Sequence, residues 1–171
     1  VCFIPNERPD DNGTADPISV AFAGHHKIVE VYEWQKERKK LELKNRLRPH
    51  LGMIQSLSFD SNSGCLLTSS NDRMISCVRP SNGERLFILQ EHDAEVVQVA
   101  SVRDGEFIVS SSLDGVLVVR KRLVAHHDLL ALSSKREANL TNPVLLNDGK
   151  HALVTHTSFR HGNGDVVLLE L

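Results

Sequence analysis

Two stretches of this chain decide its fold, because one is a copy of the other. Residues 50–72 read HLGMIQSLSFDSNSGCLLTSSND, and residues 92–114 read HDAEVVQVASVRDGEFIVSSSLD. Each stretch begins with His and ends with Asp, and the two copies are offset by 42 residues (92 − 50 and 114 − 72). Apolar and hydroxyl positions correspond as well: Ile54 with Val96, Leu57 with Val99, and residues 68–70 with residues 110–112. Agreement at so many positions with one offset indicates an internal repeat.

Short apolar runs alternate with turn-forming residues throughout the repeat. Residues 65–67 and 107–109 are continuous apolar runs, which is the pattern of strands buried on both faces. Residues 71–73 and 113–115 have the composition of tight turns. Four short antiparallel strands in a period of about 40 to 45 residues are typical of one blade of a β-propeller. We therefore predict an all-β propeller whose blades are four-stranded antiparallel sheets.

Weaker versions of this pattern extend in both directions, so we expect about four blades in one propeller domain. The expected division is a degenerate first blade with a basic outer strand at 1–49, blades at 50–91 and 92–134, and a partial last blade at 135–171. The fourth strand of the third blade is poorly marked. Residues 133–139 are polar and predict a loop.

The repeat resembles that of the WD-repeat β-propeller family. In that family a His precedes the first strand of each blade, a Ser or Thr ends the second strand, and an Asp lies in the next turn. The matching residues of this chain are His50, Ser70, Asp72, His92, Ser112 and Asp114. The resemblance implies that they form a buried structural hydrogen-bond network, since a buried His or Asp is tolerated only when it is paired.

The chain departs from the family at the Trp-Asp pair that ends the third strand. Val78-Arg79 and Arg120-Lys121 stand there in the two copies, so we expect a network without its Trp. Propellers of this family usually close with about seven blades, within the range of the architecture. The resemblance therefore implies an incomplete ring, whose remaining blades come from a longer chain or from a partner.

The function implied by the resemblance is a non-catalytic scaffold for other proteins or peptides, inside a larger multidomain protein or complex. The expected docking surface carries the loops before His50 and His92 and the turns at Asp72 and Asp114. The first residues lack the features of a signal peptide, and the three cysteines show no CxxC spacing. Both features favour an intracellular protein, cytoplasmic or nuclear, with reduced thiols.

An alternative function is attachment to an anionic lipid or nucleic-acid surface through residues 36–48. Leu41 and Leu43 alternate with polar residues there, which favours an outer strand, although the spacing of Leu43 and Leu47 also suits a helix. Nucleic acid is the less expected partner, because no aromatic residues interleave with the charges and the net charge of the chain is −2. The basic residues of this segment are Lys36, Arg38, Lys39, Lys40, Lys44, Arg46 and Arg48.

We expect no enzyme activity, metal site or cofactor. The His, Ser and Asp set occurs twice in register, whereas a catalytic triad is needed once, and no G-x-S-x-G motif accompanies it. The clustered histidines at 25–26, 126–127, 151, 156 and 161 would point to opposite faces of strands, which does not favour metal binding. No apolar run is long enough to predict a membrane span.

Overall fold

Strands arranged in consecutive antiparallel sheets make up the fold. A computed structural model of the chain describes the backbone of residues 1–4, 19–24, 27–122, 127–134, 138–145, 151–158 and 164–170, and the side chains of these residues up to 121. Within these ranges, fifteen strands form four sheets, and in each sheet the strands lie side by side in chain order. No helix occurs among the residues described. The prediction of an all-β fold built from four-stranded antiparallel sheets is confirmed.

The first three sheets contain four strands each, and the fourth contains three. The first comprises β1 (Cys2–Ile4), β2 (Ser19–Ala23), β3 (Val29–Gln35) and β4 (Lys40–Leu47). The second comprises β5 (Ile54–Asp60), β6 (Cys65–Ser70), β7 (Ile75–Val78) and β8 (Arg85–Leu89). The third comprises β9 (Val96–Val102), β10 (Phe107–Ser112), β11 (Val116–Arg122) and β12 (His127–Ser134). The fourth comprises β13 (Ala138–Leu145), β14 (His151–Ser158) and β15 (Gly164–Glu170).

In the first and second sheets, burial falls from the middle strands to the outer strand. Every residue of β6 and β10 is buried, whereas most residues of β4 and β8 are exposed or half-buried. Successive side chains of a strand point to opposite faces, so a fully buried strand must be covered on both sides. The second sheet is covered in this way by its two neighbours.

Separate apolar clusters fill the spaces between neighbouring sheets. Leu66 of β6 packs in one cluster with Val29 and Val31 of the first sheet. Its chain neighbour Leu67 points the other way and packs with Val96 of the third sheet. Adjacent residues of β6 thus pack against different sheets, one on each side of the strand. Such face-to-face contact is expected between propeller blades.

Hydroxyl groups join the first strands of the second and third sheets, β5 and β9. The Oγ of Ser56 accepts a hydrogen bond from the N–H of Val99 at 3.1 Å, and the Oγ of Ser58 accepts one from the N–H of Ser101 at 3.0 Å. The Oγ of Ser101 donates to the buried carboxylate of Asp60, with 3.0 Å between the oxygens. These bonds set the register of two sheets that share no backbone ladder.

Two predictions made from the sequence are wrong. A loop is predicted over residues 133–139, but β12 continues to Ser134 and β13 begins at Ala138. Ser133 and Ser134 pair with Leu117 and Val116 of β11, and backbone pairing of this kind does not require apolar side chains. The helical alternative within residues 36–48 is also wrong, because residues 40–47 form β4 and pair with β3.

Candidate functional site

His50 lies on the link from β4 to β5, where its ring joins the turn after β6 to the body of that strand. Its Nδ1 is 3.1 Å from both carboxylate oxygens of Asp72, and its Nε2 is 2.8 Å from the Oγ1 of Thr68. Burial lowers the pKa of the His50 ring, against the opposing effect of the nearby Asp72. We therefore assign a neutral imidazole, whose Nδ1–H donates to Asp72 and whose Nε2 lies beside the Thr68 hydroxyl, which itself donates to the Ser76 carbonyl at 3.1 Å.

The carboxylate of Asp72 binds backbone as well as the imidazole. Its Oδ2 accepts from the N–H groups of Leu51 at 3.0 Å and Gly52 at 3.4 Å, and its Oδ1 accepts from the N–H of Met74 at 3.1 Å. Burial raises the pKa of this carboxyl, but His50 and these three N–H groups outweigh burial and lower it. The charged carboxylate thus holds together the link before β5 and the turn before β7.

Asn71 completes the closure of this link. Its Oδ1 accepts from the N–H of Met53 at 2.7 Å, and its own N–H donates to the Met53 carbonyl at 3.1 Å. Gly52 fits between these groups without a side chain: a Cβ there would collide with Asn71 Oδ1 and lie 2.9 Å from the backbone nitrogen of Asp72. The tight approach of link and turn therefore requires glycine at this position.

The second copy repeats this arrangement on the third sheet. His92 Nδ1 is 3.3 Å from the Oδ2 of Asp114, and its Nε2 is 2.9 Å from the Oγ of Ser110. Asp114 also accepts from the N–H groups of Asp93 and Val116, each at 2.8 Å. Burial likewise lowers the pKa of the His92 ring, against the raising effect of Asp114. The offset of 42 residues therefore relates two similar sets of contacts.

The serines named from the sequence lie in these networks but do not touch the imidazoles. Ser70 Oγ accepts from the N–H of Asp72 at 3.1 Å, and Ser112 Oγ accepts from the N–H of Asp114 at 3.3 Å. The hydroxyl partners of the rings are Thr68 and Ser110, which sequence reasoning missed. The sequence contains a signal for these partners, because residues two apart on a strand share a face. In each run of three hydroxyl residues, the first and third therefore both lie on the face toward the His.

Apolar and ion-paired side chains occupy the places where the family has Trp-Asp. Val78 is buried in the cluster between the first and second sheets. Arg120 forms an ion pair with Glu91 in which both side chains are largely buried. The single Trp of the chain, Trp34, lies on β3 and is part of neither network. The two networks thus hold their turns without an indole.

Ion pairing neutralises much of the predicted basic patch. Arg38 and Lys40 pair with Glu42 at 2.9 and 2.8 Å, Lys44 pairs with Glu33 at 2.6 Å, and Arg46 pairs with Glu30 at 2.9 Å. Three of the seven basic residues form no ion pair with a described residue. They are Lys36, Lys39 and Arg48. Paired cations attract polyanions less, so the outer strand gives little support to the alternative function.

A groove of about 700 Å³ lies directly beside the first network. It opens between the start of β3 in the first sheet and strands β7 and β8 in the second. Arg48 belongs to this groove and is therefore separate from the ion pairs of β4. The residues that line it are Lys27, Ile28, Arg48, Pro49, His50, Leu51, Met53, Asp72, Met74, Ser76, Arg85 and Ile88.

The described residues bring together no group of three or more His, Cys, Asp or Glu side chains suited to a metal ion. His25, His26, His126 and His161 lie outside the described residues, and the side chains of His127, His151 and His156 are not described. Over the described ranges, no helix has the length and apolar character that crossing a membrane requires.

Comparison with known proteins finds a family match over the repeat and a structural match over nearly the whole chain. The family described as WD domain, G-beta repeat, matches residues 41–78 and 83–120. A solved structure similar to this chain is the C-terminal WD40 domain of Sif2, with 22% identity and a TM-score of 0.70. The match covers 91% of this chain and 40% of that chain, so this chain spans less than half of the similar structure. No curated protein matches the chain.

Proposed function

We propose that this chain, as a member of the WD-repeat β-propeller family, is a non-catalytic scaffold for protein–protein interaction. Propellers of this family are generally platforms for other proteins and generally carry out no catalysis. The observation that carries the proposal is the pair of networks at His50 and His92, which stiffen one end of two neighbouring sheets. A rigid surface binds a partner with little ordering cost.

The contacts of the networks support a non-catalytic role. A catalytic imidazole must reach the proton it transfers, but the His50 side chain is only 1% exposed and both ring nitrogens are engaged. Ser70 is also buried, and its Oγ accepts a hydrogen bond from the Asp72 N–H, so this hydroxyl does not face a substrate. These contacts support a structural role for the His, Ser and Asp residues.

The setting that we propose is a larger protein or complex in the cytoplasm or nucleus. The three cysteines are free thiols, which persist in reducing compartments. We propose that further blades, from a longer chain or from a partner, cover the open faces of the terminal sheets. The docking surface in this proposal is the face that carries the loops before His50 and His92 and the turns at Asp72 and Asp114.

Affinity capture with matched surface variants tests this proposal. We expect the full chain to capture a stoichiometric protein partner, and substitution of the exposed Leu51 by Glu to abolish that capture. The control is Leu41→Glu, at an exposed position on the outer strand β4, which should leave capture intact. Absence of any stoichiometric partner, or equal capture by both variants, would contradict the proposed role of this face.

A further inference from the structure

The groove beside His50 presents apolar side chains that the fold leaves uncovered. Leu51 is 85% exposed, Ile88 is 43% exposed and Met53 is 39% exposed. Leu51 is not on a loose loop, because its N–H donates to Asp72 and the next residues are bound by Asp72 and Asn71. The apolar surface is therefore already ordered, and a ligand would not have to order it.

Positively charged side chains line the same groove. Lys27, Arg48 and Arg85 all line the groove and are exposed. Arg85 donates one N–H to the Pro49 carbonyl at 2.8 Å, which fixes the guanidinium at the wall and leaves further N–H donors on the same group. Within the described residues, Lys27 and Arg48 have no ion-pair partner. The described lining of the groove thus combines three cations with exposed apolar side chains.

Among the described residues that line the groove, the one carboxylate, Asp72, is committed to the fold. Asp72 accepts from the His50 ring and from three backbone N–H groups, so it does not neutralise the three cations. The chain as a whole has a net charge of −2, so the positive character is local. Charge complementarity of this kind selects a partner segment of opposite sign.

We propose that this groove binds an extended segment of a partner protein, in which an aliphatic side chain is flanked by Asp or Glu residues. The aliphatic side chain contacts Leu51, Met53 and Ile88, and the acidic residues pair with Lys27, Arg48 and Arg85. This inference rests on the proposed scaffold function, for which it names a site and the chemistry of the partner.

A displayed library of short linear peptides, screened against the full chain, tests the inference. We expect the enriched peptides to carry an aliphatic residue between acidic ones. The double charge reversal Lys27→Glu with Arg48→Glu should weaken their binding by at least about tenfold, because both charge contacts become repulsive. Leu51→Ser should also weaken binding, and its high exposure makes it compatible with folding.

The matched control is the double reversal Lys36→Glu with Lys39→Glu, which changes the charge equally at exposed positions away from the groove. It should leave binding of the selected peptides unchanged. Enrichment of basic or uncharged peptides would overturn the inference, as would equal binding by the two double variants. Binding only to phosphoserine versions of the peptides would overturn it too.

The same variants separate failure of the groove from failure of the scaffold function. If the full chain captures a partner protein and the Lys27→Glu, Arg48→Glu variant captures it equally, the groove assignment falls and the scaffold role stands. If neither a peptide nor a partner protein binds the full chain, both fall.

Discussion

At the scale of single residues, two carboxylates bind backbone groups from segments that are far apart in the sequence. Asp72 and Asp114 each join a link that precedes one sheet to a turn inside it. A charged acceptor that satisfies several N–H groups contributes more than a neutral hydrogen bond, because its hydrogen bonds are charge-assisted. The repeated His and Asp could be read from the sequence because their offset is constant. Their hydroxyl partners could not be assigned, because three hydroxyl residues stand in a row.

Asp72→Ala should lower the free energy of unfolding by about 2–4 kcal/mol, because it leaves a buried imidazole N–H and several N–H groups without their acceptor. Chemical denaturation monitored by circular dichroism measures this loss. Glu37→Ala removes an exposed carboxylate and should change stability little. Equal effects of the two substitutions would contradict the assigned role of Asp72.

Gly52→Ala should destabilise the protein by about 1–3 kcal/mol, because its Cβ meets groups that are themselves hydrogen-bonded. Asn71 Oδ1 is held by Met53, and the Asp72 nitrogen is backbone, so neither can move freely. Gly24→Ala is the control, since a Cβ there has nothing within 4 Å. A thermal unfolding midpoint that is unchanged in Gly52→Ala would show that link and turn are not in close contact.

Arg73 offers a stabilising substitution. Its φ of 72° lies in the left-handed region, and the equivalent residue of the second copy is Gly115, with φ of 77°. A side chain in this region costs about 1–2 kcal/mol, so Arg73→Gly should raise the free energy of unfolding by about 1 kcal/mol. The reciprocal change Gly115→Ala should lower it. Thermal melts of the two variants that move in the same direction would refute this reasoning.

At the scale of strands and sheets, a strand could be predicted where its apolar side chains are buried. A strand could not be predicted where backbone pairing alone extends it. Strands β6 and β10 are buried on both faces, so their apolar runs identify them in the sequence. Strands β12 and β13 extend through polar residues that pair by backbone, and composition does not reveal such pairing. The groove could not be predicted either, because it combines residues from two sheets that the sequence separates by up to 61 positions (88 − 27).

The hydroxyl contacts between β5 and β9 should matter for the junction of the second and third sheets. Ser101→Ala removes a donor to the buried Asp60 and should cost about 1–2 kcal/mol in unfolding free energy. The substitution should also increase backbone hydrogen exchange more in β5 and β9 than in other strands, because the contact is local. Ser81→Ala, at an exposed turn position, is the control. Uniformly unchanged exchange in Ser101→Ala would exclude a role for this contact.

At the scale of the whole molecule, the second sheet depends on both of its neighbours for burial. The clusters that contain Leu66 and Leu67 lie on opposite sides of one strand, so loss of either adjoining sheet exposes the second sheet. Stability in such arrays accumulates from contacts between neighbours. Protonation of His50 beside the second sheet or of His92 beside the third sheet should therefore affect the unfolding of both sheets.

Stability should fall as pH decreases below about 6.5, the ordinary pKa of His. The pKa values of His50 and His92 are lowered in the folded protein, so the unfolded chain binds protons first and is favoured by acid. Asp72 has a lowered pKa and contributes above its ordinary value of 3.8, so its contribution is lost only in stronger acid. Urea midpoints measured from pH 8 to pH 5 should decline, and the decline should be smaller in His92→Gln. Midpoints that rise toward pH 5 would show that the rings are charged in the fold.

The charged side chains of β4 have a consequence for the molecule in crowded solution. An outer strand exposes unpaired backbone groups, and a second sheet can add to them and begin aggregation. In β4, lysine and arginine alternate with other residues and stand beside glutamates of the neighbouring strand. A colliding sheet would have to strip water from these charges and separate the pairs before it could join the edge. The rim of the first sheet thus resists self-association through its outer strand.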